Sequence, residues 1–253
     1  MNIEEILFRC HSIGDLMGVK GLGDTGKKRA RYTYLEYKYG RRKSINSKYL
    51  EKGTSCEPAS FIIAENVLGL QLKKNEVRKE NDNLTGECDT ESEELNLVAD
   101  FKNSWDIYTF DDACSKLNTD NEWQLRCYME LYNRDKAKLI YTLNDAPDEM
   151  VLEALERESY KYPERETPEW IEVEKIKEMV FTTNSFERII NYRGLGGDKL
   201  TDKCIETFVE IPENERIFVY DFQRDKTKYD LIVGRICEAR VYLKSRYEQK
   251  TIL

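Results

Sequence analysis

Residues 84–102 constrain the fold more than any other stretch of the chain. Leu95, Leu97, Val98 and Ala99 form an apolar run that leads into Asp100, Phe101 and Lys102. The acidic run Glu91, Glu93 and Glu94 separates it from an earlier extended segment that ends at Asp89. The pattern predicts strands at about 84–89 and 95–102, joined by a short acidic turn. Side chains alternate faces along a strand, so Asp100 and Lys102 share one face and Phe101 takes the other. With the turn centred near Glu94 and Leu95, Asp89 falls opposite Asp100. Directly opposed Cβ atoms lie about 4.5–5.5 Å apart. Two carboxylates that close repel each other unless a cation sits between them. Oxygen ligands of this kind suit Mg²⁺ or Mn²⁺. The simpler alternative is a cross-strand ion pair at a sheet edge. Two similar triplets, Glu36-Tyr37-Lys38 and Glu248-Gln249-Lys250, lie in polar surroundings and lack the apolar lead-in.

The 253 residues suffice for one large domain with a buried core. No apolar run approaches the ~20 residues needed to span a bilayer, and the acidic start at Asn2, Glu4 and Glu5 has no signal-peptide pattern. Seven scattered cysteines without a Cys-x-x-Cys pair argue against a disulfide framework, a zinc ribbon or an iron–sulfur cluster. A reducing cytoplasm is the expected setting.

The net charge of −8 discourages a nucleic-acid reading until its distribution is considered. Residues 20–52 hold eleven Lys and Arg against three Asp and Glu, a local +8, which leaves −16 for the rest. Between Arg29 and Lys43, tyrosines alternate with cations. Cations neutralise phosphates and aromatics stack on bases. The competing reading is an amphipathic helix with its tyrosines on the core and its lysines in water. The glycines between Gly18 and Gly26 lack a preceding apolar strand and a Gly-Lys-Ser/Thr ending, so they read as a flexible loop, not a phosphate cradle.

Periodicity places a short helix at 3–18 and another over 33–39. Residues 47–68 read as helix, with Ala59, Ile62, Ile63, Val67 and Leu68 as the buried stripe. Pro58 belongs in a first helical turn, so this helix is expected to start near Ser55 or Cys56. Glu57 would then sit at its N-terminus, where capping is a sufficient explanation for it. Strands follow at about 74–80, 84–89 and 95–102, with Asn81-Asp82-Asn83 as the first turn. Residues 106–118 are helical or irregular. A firmer helix covers 120–132, capped by Asp120 or Thr119, and places Gln124 and Tyr128 one turn apart on one face. A strand at 137–143 comes next. Residues 148–192 are helix-rich and charged, broken at Pro163 and Pro168, and Gly194–Gly197 is a loop. A strand at 217–222 and an amphipathic helix over 225–247, burying Ile232, Ile236, Ala239 and Leu243, complete the chain. The expected fold is a single α+β domain over 1–253. Its αβββαβ core spans about 47–143, with a mixed sheet flanked by helices. An N-terminal basic helical region (1–46), a helical addition (148–192) and a C-terminal strand and long helix (213–250) surround that core.

Glu57, then Gly86-x-x-Asp89, then Asp100-x-Lys102, then Gln124-x-x-x-Tyr128 together resemble the PD-(D/E)xK nuclease superfamily, nearest its RecB-type and YqaJ/phage lambda exonuclease branch. Lys52-Gly53-x-x-x-Glu57-x-Ala59 resembles the lysine/tryptophan-glycine helix of phage exonucleases. Trp123-Gln124-Leu125-Arg126-Cys127-Tyr128-Met129 resembles their Trp-Gln-Leu-Gln-x-Tyr-Met helix. The match covers roughly residues 47–143. The proline of the family name is absent, since Glu87-Cys88 precedes Asp89. His11, the one histidine, lies far upstream of the position some relatives use for a metal ligand and reads as structural.

The resemblance implies metal-assisted hydrolysis of linear double-stranded DNA, in the 5′ to 3′ direction, in phage-type recombination inside a bacterial cell. Glu57, Asp89, Asp100 and the Phe101 carbonyl would hold Mg²⁺ or Mn²⁺. Lys102 would orient water or balance charge, Gln124 would position the site, and Tyr128 would support the helix or touch DNA. Arg41, Arg42, Lys43, Lys48 and Lys52 become candidates for phosphate contact. A single-strand annealing protein and a homo-oligomeric ring are the implied partners. An endonuclease or flap nuclease, or a non-catalytic nucleic-acid-binding module of the same fold, are the alternatives.

Overall fold

Two short sheets organise the protein. The computed structural model describes residues 2–44, 47–162 and 166–248, so the expected break at Pro163 and the triplet ending at Lys250 lie outside the described residues. From the N-terminus the elements are β1 (Phe8–Arg9), α1 (Gly23–Tyr39), α2 (Lys48–Leu68), β2 (Lys79–Glu80), β3 (Leu84–Gly86), β4 (Thr90–Ser92) and β5 (Leu97–Asn103). Then come α3 (Ile107–Ser115), α4 (Thr119–Tyr132), β6 (Lys136–Thr142), α5 (Asp148–Ser159), α6 (Glu169–Lys177), α7 (Thr183–Arg193), α8 (Lys199–Glu206), β7 (Ile217–Gln223) and α9 (Lys226–Tyr247). One sheet has the order β1-β3-β2, the other β4-β5-β6-β7. β5 and β6 are parallel, with Asp100 beside Leu139 and Lys102 beside Tyr141, while β4 and β7 run antiparallel to their neighbours. This is the expected α+β class, with a mixed sheet between helices.

The two faces of the larger sheet are covered differently. On one, Ala99, Phe101 and Ile140 pack under α2, and the Phe61 and Phe101 rings lie 4.6 Å apart. On the other, Val98 and Leu139 join Leu125, Met129 and the buried face of α9. Ile232, Ile236, Ala239 and Leu243 of α9 are all fully buried, as their spacing predicts. Helices α5 to α8 enclose an apolar cluster of their own around Val151, Ile176 and Ile189.

Several elements differ from the sequence reading. The first segment is not one helix over 3–18. It forms a 3-10 turn at Ile3–Glu5, then β1, then a second 3-10 stretch at Cys10–Leu16. Phe8 pairs in parallel with Leu84, a long-range partner that periodicity does not reveal. Cys10, Ile13 and Leu16 recur every third residue and are fully buried, which fits three residues per turn. Helix α1 begins at Gly23, so Gly23 and Gly26 of the expected loop are helical. The expected strand at 84–89 is cut short at Gly86, and pairing with β5 begins only at Thr90. β3 pairs with β1 and β2, and after a bend the chain joins β5 as β4. Gly86 closes β3 where a Cβ would lie 2.5 Å from the Cys10 sulfur and 2.8 Å from the Tyr128 ring, so the position admits no side chain.

Pro58 lies inside α2, not in its first turn. It forgoes one intrahelical hydrogen bond, and packing on the sheet carries the helix through. Glu57 is therefore mid-helix, and capping does not account for it. The buried side of α2 is Lys52, Cys56, Ser60, Ile63 and Ala64, whereas Ile62 is 58% exposed. Polar residues on the inner face are what misled the apolar count. Helix α4 is capped by the Asn118 side chain, one residue before the expected cap. Residues 199–206 add α8, which the glycines before it concealed.

Candidate active site

The register around the acidic turn brings the key residues together. Thr90 pairs with Ala99, Glu91 with Val98 and Ser92 with Leu97, so continuing the ladder sets Asp89 opposite Asp100. β4 has ended at that point, but β5 still offers an amide. The Phe101 N–H donates to Asp89 Oδ2 at 2.6 Å, so a side chain replaces the missing ladder partner. Strand alternation holds as expected: Phe101 packs under α2, while Asp100 and Lys102 face α4.

Asp100 is 2% exposed and has two partners. Lys102 Nζ lies 2.5 Å from its Oδ2. Gln124 Nε2 donates to its Oδ1 at 3.1 Å. The same amide nitrogen donates to the Tyr128 hydroxyl at 2.9 Å. The one-turn spacing of Gln124 and Tyr128 on α4 is thus used: Tyr128 fixes Gln124, and Gln124 fixes Asp100. Tyr128 is 3% exposed and supports the helix, so the expected contact with DNA is corrected.

Charge in this cluster is unbalanced. Burial, and then the negative charge of Asp100, push the Asp89 carboxyl up to about 7, against the pull of the Phe101 amide and Lys102. Glu57 adds to the upward push, so its charge is within electrostatic reach of Asp89. Burial opposes the Lys102 charge, but Asp100 and Asp89 outweigh it and raise its pKa. The ammonium form of Lys102 is thereby favoured, which makes it a donor and counter-charge to Asp100.

Asp100 Oδ2 is buried with the Lys102 ammonium as its partner, while burial and then the Asp100 charge hold Asp89 towards its protonated form. The repulsion between the two carboxylates is relieved by a hard cation between them, so the aspartate pair fits one. A third ligand is not in place. Among the described residues no three His, Cys, Asp or Glu side chains converge to hold a metal. Glu57 instead pairs with Lys74 at 3.0 Å. Glu57 is carried mid-helix by α2, which lies over the Phe101 face of the sheet.

Lys74 was missed by the sequence reading, which treated it only as the start of a strand. Its backbone bridges Thr90, and the next amide, Asn75, donates to the Asp89 carbonyl at 2.8 Å. Glu57 and then Asp89 are among the charges that raise its pKa. The adjacent cations Lys73 and Lys74, fifteen residues before an aspartate, were the only signal available.

The basic segment divides in two. Arg41, Arg42, Lys43 and Lys48 are exposed, and among the described residues none of them pairs with a carboxylate. Lys43 lies over the Tyr32 ring, and Lys48 over Tyr49 and Trp105. Lys52 is the correction. It is 1% exposed, and its ammonium donates to the Ser104 and Trp105 carbonyls, so it has no access to a phosphate. His11, exposed in the 3-10 stretch, links the segment to the site. Desolvation by surrounding atoms, then the charges of Arg42, Arg9, Arg29 and Lys102, lower its pKa to about 4. Arg42 of the basic segment and Lys102 of the site thus both act on one imidazole.

No protein-family model and no curated protein sequence matches the chain. Solved structures do. The crystal structure of a phage related exonuclease from Haemophilus somnus 129PT aligns with a TM-score of 0.69 at 23% identity, covering 97% of each chain. An alkaline exonuclease, LHK-Exo from Laribacter hongkongensis, aligns with a TM-score of 0.59 at 11% identity, over 98% of this chain and 93% of that one. The same enzyme in complex with dAMP gives 0.57 at 10% identity. At these identities the likeness establishes the fold along almost the whole chain. No helix among the described residues is long and apolar enough to cross a membrane.

Proposed function

We propose that this chain is a PD-(D/E)xK exonuclease that hydrolyses phosphodiester bonds of linear double-stranded DNA, with Mg²⁺ or Mn²⁺ as cofactor. One observation carries the reading. Asp89, Asp100, Lys102 and Gln124 meet in a half-buried cluster whose two carboxylates share one ammonium. The fold shared with two exonucleases supports it.

In this reading Asp89 and Asp100 would hold the cation, with the Phe101 carbonyl and Glu57, now paired with Lys74, as further ligands. A bound divalent cation supplies an acidified water and stabilises charge on the attacked phosphate and the leaving oxygen. The chain supplies the rest. Gln124, fixed by Tyr128, holds the Asp100 carboxylate in orientation. Lys102, kept protonated by Asp100, donates to the attacked phosphate or to the water. Arg41, Arg42, Lys43 and Lys48 attract the DNA backbone through a local field that the global charge does not cancel. Degradation in the 5′ to 3′ direction, assembly as a ring and work beside a single-strand annealing protein in recombination complete the proposal. Their support is the family resemblance of the motifs.

The direct test is digestion of linear duplex labelled at either end, with and without a 5′ phosphate, beside covalently closed circular DNA. Mg²⁺-dependent loss of the linear substrate alone is expected, starting from the 5′ end. Equal cutting of the circle would favour an endonuclease. Binding without cleavage in both Mg²⁺ and Mn²⁺ would leave a nucleic-acid-binding module.

Lys74 gives a second prediction. Its ion pair with Glu57 is 59% exposed on the lysine side and is worth about 0–1 kcal/mol, so a divalent cation competes with it readily. Lys74→Met frees Glu57 and is expected to tighten Mn²⁺ binding several-fold, up to about 5-fold if the whole ~1 kcal/mol is recovered. Calorimetric titration with MnCl₂ checks this. Weaker binding in Lys74→Met would show that Lys74 helps to build the site instead of competing for it.

A further inference from the structure

A polar stripe runs along the inner face of α2, where an apolar one is the rule. Lys52, Cys56 and Ser60 recur every four residues and are all buried. Each is tied to the end of a strand. Lys52 Nζ donates to the Ser104 carbonyl at 3.0 Å and the Trp105 carbonyl at 2.7 Å, just past β5. The ammonium lies 5.7 and 5.3 Å from the centroids of the Trp105 and Phe181 rings. Cys56 Sγ donates to the Asp145 carbonyl at 3.3 Å, just past β6. Ser60 Oγ lies 2.8 Å from Thr142 Oγ1, and Asn144 donates to both hydroxyls.

We propose that Lys52 is a positioning residue for the acidic site: its buried ammonium, at the head of this stripe, braces the Glu57 helix against the end of the Asp100–Lys102 strand. The inference rests on the reading of that site as a divalent-cation centre. The physical need arises from the placement of α2. It covers the Phe101 face, so no direct contact with Asp100 fixes where Glu57 points. Sliding α2 by one residue shifts it about 1.5 Å and turns it about 100°. Apolar contacts such as those of Phe61 and Ala64 are non-directional and resist such a slip weakly. Hydrogen bonds to fixed carbonyls are directional and resist it strongly. Glu57 follows Lys52 by five residues, about 7.5 Å along the axis, so the register set at Lys52 is transmitted to it through rigid helix. Without the ammonium, the Ser104 and Trp105 carbonyls lose a charged donor at the point where β5 leaves the sheet.

The test is a double-mutant cycle between Lys52 and Glu57, read as Mn²⁺ affinity by calorimetry on the full chain. Lys52→Met keeps the stem and removes the donor. It is expected to weaken Mn²⁺ binding about 10-fold, the lower end of what outer-sphere partners of metal ligands contribute. Glu57→Gln is expected to weaken it as well. In the Glu57→Gln background, Lys52→Met is expected to add less than about 2-fold, because the residue it positions is already disabled. Lys52→Arg, which keeps a charged donor, is expected to retain most of the affinity. Unchanged Mn²⁺ affinity in Lys52→Met, or losses that multiply in the double variant, overturns the proposal. Circular dichroism screens each variant for folding. If Lys52→Met does not fold, Cys56→Ala enters the same cycle as the next residue of the stripe, and multiplying losses there overturn it equally. A wild-type chain that binds no Mn²⁺ removes the cation reading itself, an outcome distinct from wild-type binding without coupling.

Discussion

Asp100→Asn is expected to slow degradation of linear duplex DNA by about 10³-fold or more while shifting the thermal midpoint by only a few degrees. The rate loss follows from what Asp100 touches. Its carboxylate meets both Lys102 and Gln124, and it faces Asp89. Asparagine keeps its shape and can still accept from Gln124, but it offers no charge to a cation. Losing one preorganised electrostatic group at a reacting phosphate costs on the order of 10²–10³-fold. Here the loss also lowers cation affinity, which pushes the effect to the upper end and beyond. A factor of 10³ corresponds to about 4 kcal/mol of barrier. Stability behaves differently because two changes oppose each other. Lys102 loses its partner, but its side chain is 32% exposed and can be solvated. Asp89 loses the neighbouring charge that helps to raise its pKa. Single-turnover digestion of labelled duplex beside a thermal melt measures both quantities. A rate within 10-fold of wild type would remove Asp100 from the chemistry.

The second large effect is a pH-dependent stability that a divalent cation reverses. Asp89 carries a folded-state pKa of about 7 against an ordinary value of 3.8. The folded chain therefore holds this proton more tightly than the unfolded chain. Between about pH 4 and 7 the folded state binds more protons, so stability falls as pH rises and levels off above 7. The full shift corresponds to a ceiling of about 4 kcal/mol, on the order of 10 °C in thermal midpoint for a chain of this size. Bound Mn²⁺ takes over the role of the proton, and its stabilisation grows with occupancy. The Mn²⁺-induced rise in midpoint is thus expected to be larger at pH 8 than at pH 5.5. In EDTA the midpoint should be lower at pH 8. Asp89→Asn should flatten much of both trends, which separates this group from the general effect of the −8 net charge. Equal Mn²⁺ shifts at the two pH values would contradict the assignment of Asp89.

The acidic pair was legible because a strand and a tight turn are local rules. Alternation put Asp100 and Lys102 on one face, and a turn centred near Glu94 and Leu95 set Asp89 across from Asp100. Helix spacing likewise aligned Gln124 with Tyr128, and it identified four of the five buried positions of α9, all but Arg240. These depend on residues close in sequence, whose geometry the backbone dictates. Where the reading failed, a distant partner decided. Phe8 left a helix to pair with Leu84. The strand expected over 84–89 stopped at Gly86, which lies against Cys10 and Tyr128.

By itself, then, the order of residues determined the α+β class, the strand that carries Asp100 and Lys102, and the helix that carries Gln124. Only the tertiary structure decided that Lys52 is an internal donor instead of a phosphate contact, that Lys74 holds Glu57, and that α2 crosses the face opposite Asp100. A cation's role depends on what surrounds its head group, and burial is a property of the packed chain. The same side chain binds solvent, a carboxylate or a strand end according to neighbours that lie tens of residues away.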